Sequence, residues 1–115
     1  MSEKWFLKSG LCVIETEVAS SGAEKRKGLL GREGLEPGRG LLIPGCRSIH
    51  TFFMQFPIDV VYLDDGMKVC RIRKAMKPFR LSCFSRADMV LELAAGEAER
   101  CGISEGSVLE RTSSE

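Results

Sequence analysis

The chain is poor in the residues from which metal centres and acid–base sites are usually built. Among 115 residues there is one histidine, and the five cysteines (Cys12, Cys46, Cys70, Cys83 and Cys101) form no Cys-x-x-Cys pair. One histidine and no paired thiols give no basis for a structural zinc site, and no cofactor is expected. Glycine-rich phosphate loops, G-x-G-x-x-G and H-E-x-x-H are all missing, which removes the nucleotide and zinc-protease readings those motifs carry. No apolar run is long enough to span a bilayer. The opening MSEKWFLKSG has neither an apolar signal core nor a small-residue cleavage site. A cytoplasmic location with no membrane partner is therefore the expectation. The odd, scattered cysteine count agrees with it, because reduced thiols fit such a set better than a disulfide framework does. Charge of either sign is in little excess: 17 Lys and Arg against 16 Asp and Glu leave a net +1. The whole chain is thus not a polyanion binder by charge alone.

What is present is a β-rich pattern in a length suited to one domain. Residues 1–10 read as a lead-in, 11–111 as a single domain, and 112–115 as a frayed tail. LCVIETEVA (11–19) is β-branched and partly alternating, so it predicts a strand. Ser21-Gly-Ala-Glu24 is a capping-box pattern that opens a helix to about Leu30, with Gly31 as its left-handed stop. Four glycines and a proline make 31–40 a loop. Strands are expected at 40–44, 50–55, 58–64, 67–75 and 88–95, with a shorter one in 77–85 and a terminal one at 107–111. Residues 96–102 read as one or two helical turns closed by Gly102. The result is a mostly β protein with one or two short helices (β-rich α+β), as a small β-sandwich or partly open barrel.

The turn at Asp64-Asp65-Gly66 sets what the acid in Ile58-Asp59-Val60 meets. A two-residue turn places Asp59 against Ile72, and a three-residue loop places it against Arg71. The second is favoured, because a carboxylate facing a guanidinium is cheaper to desolvate. In either register Asp59, Val61 and Leu63 share one face, and Ile58, Val60 and Tyr62 the other, which is the expected core.

Several ordered blocks together resemble the DUF192 family of uncharacterised small proteins. They are Glu24-Lys-Arg-Lys-Gly28-Leu-Leu-Gly31-Arg32, Gly40-Leu-Leu-Ile43, Thr51-Phe-Phe-Met54 and Pro57-Ile-Asp59-Val-Val-Tyr62. Val90-Leu-Glu-Leu-Ala-Ala-Gly96 and Cys101-Gly-Ile103 look like the closing signature. The resemblance runs over about residues 11–110. It implies a mostly β domain with a helix packed on it, and no activity. Leu30 stands where the family often has Met, and Phe53 where it often has Trp. Many members look exported, which this chain's first residues do not suggest.

Three readings of function follow. The first is a domain that binds a small ligand or a protein partner in a groove lined by residues 47–59. There Arg32 and Arg47 attract an anionic group, Asp59 orients donors, and Phe53 and Met54 supply apolar contact. The plainer alternative is a salt bridge that fixes register, with Asp59 paired to Arg32, Arg47 or Arg71. The second reading is an enzyme of hydrolase or transferase type using Cys46 with His50 as base. Its alternative is a loop cysteine and a strand-start histidine with ordinary partners. The third rests on seven basic residues and no acid between Met67 and Ala87, which could hold an anion or nucleic acid. No recognition helix or RNA-binding motif accompanies them, so nucleic acid is disfavoured, and a solvated strand face is the plainer account.

Overall fold

The computed structural model describes residues 3–10 and 12–112. Nine strands and two short helices are found there: β1 (Glu3–Ser9), β2 (Cys12–Val18), α1 (Gly22–Lys27), β3 (Arg39–Pro44), β4 (Ser48–His50), β5 (Ile58–Leu63), β6 (Val69–Met76), β7 (Leu81–Cys83), β8 (Met89–Ala94), α2 (Glu97–Arg100) and β9 (Glu110–Thr112). Seven strands form one sheet in the order β6-β5-β8-β3-β2-β1-β9, and β4 pairs with β7 in a second, small sheet. The β-rich class expected from sequence holds, and the large sheet stays open rather than closing into a barrel.

The centre of the sheet is buried on both sides, and the sequence shows why. All six residues of β5 are buried, so period-2 alternation feeds two cores instead of one core and one wet face. Val61 and Leu63 join Leu7, Ile14, Leu42, Leu91 and Leu93 under α2 and the segment 101–109. Ile58, Val60 and Tyr62 join Leu29, Leu41, Ile43, Ile49, Met54 and Val90 under the segment after α1 and the small sheet. The expectation that one face of β5 carries the core is thus half of the result.

Residues 1–10 were expected to lead in, yet Glu3–Ser9 pairs along its whole length with β2 and also holds β9. Thr112, expected in the tail, closes β9, and 113–115 lie outside the described residues. The helix stops earlier than expected. Its capping box forms as read, with Glu24 N–H donating to Ser21 Oγ at 3.0 Å and Ser21 N–H to Glu24 at 3.0 Å. Gly28, not Gly31, ends it, at φ 50°. The chain then crosses to β3, which lies beside β2 and parallel to it. Of the strand expected at 50–55 only His50 is in one, at the end of β4; 51–55 turn instead, because only Ser48–His50 finds a partner, in β7.

The β5–β6 register matches neither sequence option. Leu63 pairs with Val69, Val61 with Ile72 and Ile58 with Met76, with irregularities between Ile58 and Val60 and between Tyr62 and Leu63. The link is longer than Asp-Asp-Gly: Asp64 Oδ1 accepts from both Gly66 N–H and Lys68 N–H, and Met67 sits at φ 65°. An Asx-type turn plus a bulge absorbs the extra residues, and composition alone does not forecast a bulge.

The cysteine expectation is overturned at one pair. Cys12, at the start of β2, and Cys101, just after α2, form a disulfide across 89 residues of chain. Cys46, Cys70 and Cys83 are free. Long spacing hid the pair, since only the folded sheet brings β2 and α2 together. The cytoplasmic expectation loses its cysteine argument with it. Among the described residues no helix is long and apolar enough to cross a membrane.

Candidate functional site

Asp59 is completely buried, and among the described residues no arginine forms an ion pair with it. Its Oδ1 accepts from Ala75 N–H at 2.8 Å, in the irregular stretch of β6. Its Oδ2 accepts from Gly96 N–H at 3.1 Å and Ala98 N–H at 3.0 Å. Gly96, at the N-cap of α2, has no side chain to do this, so Asp59 caps the helix from a neighbouring strand. Three backbone donors satisfy the charge that sequence reasoning assigned to an arginine or a ligand. The residue fixes β5, β6 and α2 together and lines no cavity described below.

The open space lies on the other face of the sheet. A cavity of about 490 Å³ runs between α1 with its following turn and the start of the small sheet. Leu29, Leu30, Ile43, Ile49 and Met54 form its apolar wall, and Cys46, Ser48 and His50 lie along one side. Lys25, Arg26 and Lys27, from the last turn of α1, stand at its edge. The Lys25 ammonium lies close to Gly45: a methyl group built on that glycine would stand 3.6 Å from Nζ.

At the floor is Glu92, from the middle of β8. It is 4% exposed and pairs in the sheet with Leu41 and Val60. Among the described residues its side chain makes no hydrogen bond or ion pair, although the other two buried acids, Asp59 and Glu97, do. Burial pushes its carboxyl up to about 7, and the Arg32 charge pulls only partly against that. Gly28 lies beside it, since a Cβ there would stand in van der Waals contact with Glu92 Oε1, at 3.9 Å. Sequence reading passed over Glu92. A signal was present, because β8 reads Val90-Leu91-Glu92-Leu93 and an acid amid such a run needs a partner or a function.

The expected site residues are divided by the fold. Cys46, His50 and Met54 meet in the cavity. Arg32 lies in a neighbouring hollow of about 280 Å³, bound to Glu17 at 2.9 Å. Arg47 is exposed, outside the cavity wall, and its carbonyl accepts from Phe84 N–H at 2.8 Å. Phe53 is 77% exposed and packs edge-on against Phe79.

Cys46 and His50 share the cavity without engaging one another. The thiol donates to Ser48 carbonyl at 3.0 Å, and burial raises its pKa, outweighing the lowering by that bond and by Lys25. His50 Nδ1 accepts from Phe52 N–H at 3.3 Å, and the two rings stack. A protonated thiol bonded to a carbonyl is the opposite of an activated nucleophile. No group of three or more metal-binding side chains occurs among the described residues.

The fold and site define a β-rich domain of mixed sheet with a half-open apolar cavity and one buried acid at its floor. The chain belongs to the DUF192 family, described as "Uncharacterized ACR", whose model matches residues 6–111. Two solved structures share the fold. A protein of unknown function from Novosphingobium aromaticivorans superposes with TM-score 0.81 at 24% identity, over 95% of this chain and 84% of that one. A protein from Sinorhizobium meliloti, described as a "putative transcription regulator", gives TM-score 0.84 at 22% identity, over 96% and 94%. No curated protein matches the chain.

Proposed function

We propose that this domain binds a small organic ligand in the cavity between α1 and the sheet, with Glu92 as the group that recognises it. The observation that carries this reading is Glu92, a buried residue whose carboxyl has no hydrogen-bond partner among the described residues and lines a cavity of about 490 Å³. A buried acid without a partner destabilises the fold, and such a group in a pocket marks a candidate site. The volume suits a small molecule, and the lining has the usual form of apolar walls with a few polar groups. Glu92 at the floor fits an amine or another N–H donor. Lys25, Arg26 and Lys27 at the edge fit an anionic group at the far end. The ligand class is therefore a small zwitterion, or a donor-bearing acid, with an apolar middle. This keeps Met54 and His50 of the expected 47–59 groove and replaces Asp59 with Glu92.

Thermal-shift measurements with amino acids and longer amino-carboxylates test this. Stabilisation by a cationic amine should grow between pH 6 and 8, as Glu92 ionises, and should vanish in Glu92→Gln. A ligand shift of the same size in Glu92→Gln, or no shift from any of these compounds at millimolar concentration, would sink the reading.

A further inference from the structure

Two loop tips, at residues 51–54 and 77–80, carry bulky apolar side chains into solvent. Phe53 is 77% exposed, Phe79 56% and Phe52 40%, and Leu81 beside them is 65% exposed. Phe53 and Phe79 touch, with ring centroids 5.4 Å apart and planes at 71°. Both have backbone conformations in the left-handed region, at φ 64° and 61°. Bulky residues avoid that region, and strain of this kind persists where the surroundings enforce it, often at functional sites.

Thr51 supplies the enforcement. It is fully buried between the tips. Its N–H donates to Arg80 carbonyl at 2.9 Å, and its carbonyl accepts from Phe79 N–H at 2.9 Å. Its hydroxyl donates to Lys77 carbonyl at 2.6 Å and accepts from Arg80 N–H at 2.9 Å. These four hydrogen bonds on one residue, with a fifth accepted from Met54 N–H at 3.2 Å, tie both tips into one unit. The aromatic pair lines none of the cavities described above, so it is a projection and not the wall of a groove.

The surroundings are positive. The stretches 37–58 and 66–87 contain no aspartate or glutamate. Lys77 and Arg80 flank Phe79, and Arg73 donates to Leu81 carbonyl at 3.1 Å. None of these three is in a salt bridge among the described residues. The acid-free run between Met67 and Ala87 was legible in the sequence, and the fold sets the Phe53 tip beside it.

We infer that the Phe53–Phe79 tip, with Lys77, Arg80 and Arg73 around it, docks on an anionic lipid surface. Projecting apolar side chains ringed by cations suit a bilayer interface, where rings enter the acyl boundary and cations meet headgroups. Single-stranded nucleic acid fits less well. Successive bases need open ring faces, and in an edge-to-face pair one ring covers the face of the other. An acidic peptide strand would need a groove, which this tip does not provide. Among the described residues no helix is long and apolar enough to cross a membrane, and peripheral docking requires none.

Co-sedimentation with vesicles tests it, using phosphatidylcholine alone and phosphatidylcholine with 30% phosphatidylglycerol. The protein should bind the anionic vesicles and not the neutral ones, and 0.5 M salt should release it. Lys77→Ala with Arg80→Ala should weaken binding about thirtyfold, taking each cation's share near a charged surface. Phe53→Ala with Phe79→Ala should weaken it at least about tenfold. All four side chains are exposed, and circular dichroism should show each variant folded. In a Trp5→Phe background, Phe53→Trp should shift its emission to the blue on binding and be quenched by brominated lipid. Equal binding to neutral and anionic vesicles, no binding to either, or no loss in the phenylalanine variant overturns the inference. So does tight binding of oligo-dT or poly-glutamate that is lost in the same variants while vesicle binding stays negligible.

Discussion

Glu92 and Asp59 carry the same charge, both lie in central strands of one sheet, and they do opposite things. Asp59 has three backbone donors and holds three elements together; Glu92 has none among the described residues and lines a cavity. Two measurable consequences separate them. Truncation in Asp59→Ala removes the acceptor of three N–H groups, one of them on buried Ala98, at a cost of about 3–5 kcal/mol, read as a lower urea midpoint. For Glu92 the effect depends on pH. Its carboxyl sits at about 7 when folded, above an ordinary 4.5, so the folded state holds its proton longer than the unfolded one. Its contribution to stability therefore falls as pH rises from about 4.5 to about 7, then levels off. The loss is at most about 3 kcal/mol. Urea midpoints at pH 5 and pH 8 should show Glu92→Gln gaining on the wild type at the higher pH. An equal difference at both pH values would contradict this assignment. The sequence flagged Asp59 as needing a partner and could not say which, because backbone donors leave no trace in residue identity.

At the scale of elements, two local features were legible and two were not. The capping box at Ser21 and Glu24 formed as read, since its geometry needs only neighbours in sequence. Ser21→Ala should cost about 1 kcal/mol by chemical denaturation. The buried run at β3 was also legible, but the reason for Gly40 was not. A Cβ there would stand 2.9 Å from Leu93 Cδ2 and 3.2 Å from Leu91 Cδ1, both from the adjacent β8. Gly40→Ala should destabilise the protein by about 1–3 kcal/mol through overpacking, measured the same way. The β5–β6 link failed as a sequence reading because a bulge and an Asx turn shifted it by more than either option allowed. The face assignment along β5 survived, since alternation within one strand does not depend on its partner's register.

The whole molecule is a seven-stranded sheet covered on both sides, with one long-range covalent tie. Cys12–Cys101 closes most of the chain into a loop. Cys12→Ser should lower stability by about 2–4 kcal/mol under oxidising conditions, and reductant should lower the wild type alone. Thiol titration of the unfolded, unreduced protein should count three free groups, not five. Exposed Cys83 should be alkylated before Cys46, which is half-buried and whose thiol pKa is raised.

Composition, alternation and ordered motifs determined a β-rich single domain of the DUF192 family, its helix cap and most of its strands. Those properties depend on neighbours along the chain, where sequence is a direct record. Tertiary structure alone decided the disulfide, the three donors on Asp59, the cavity above Glu92 and the aromatic tip beside Lys77 and Arg80. Each joins residues from separate strands or loops. Their meeting depends on strand order, bulges and crossovers, which are settled by the summed packing of two cores and are not written in any one segment.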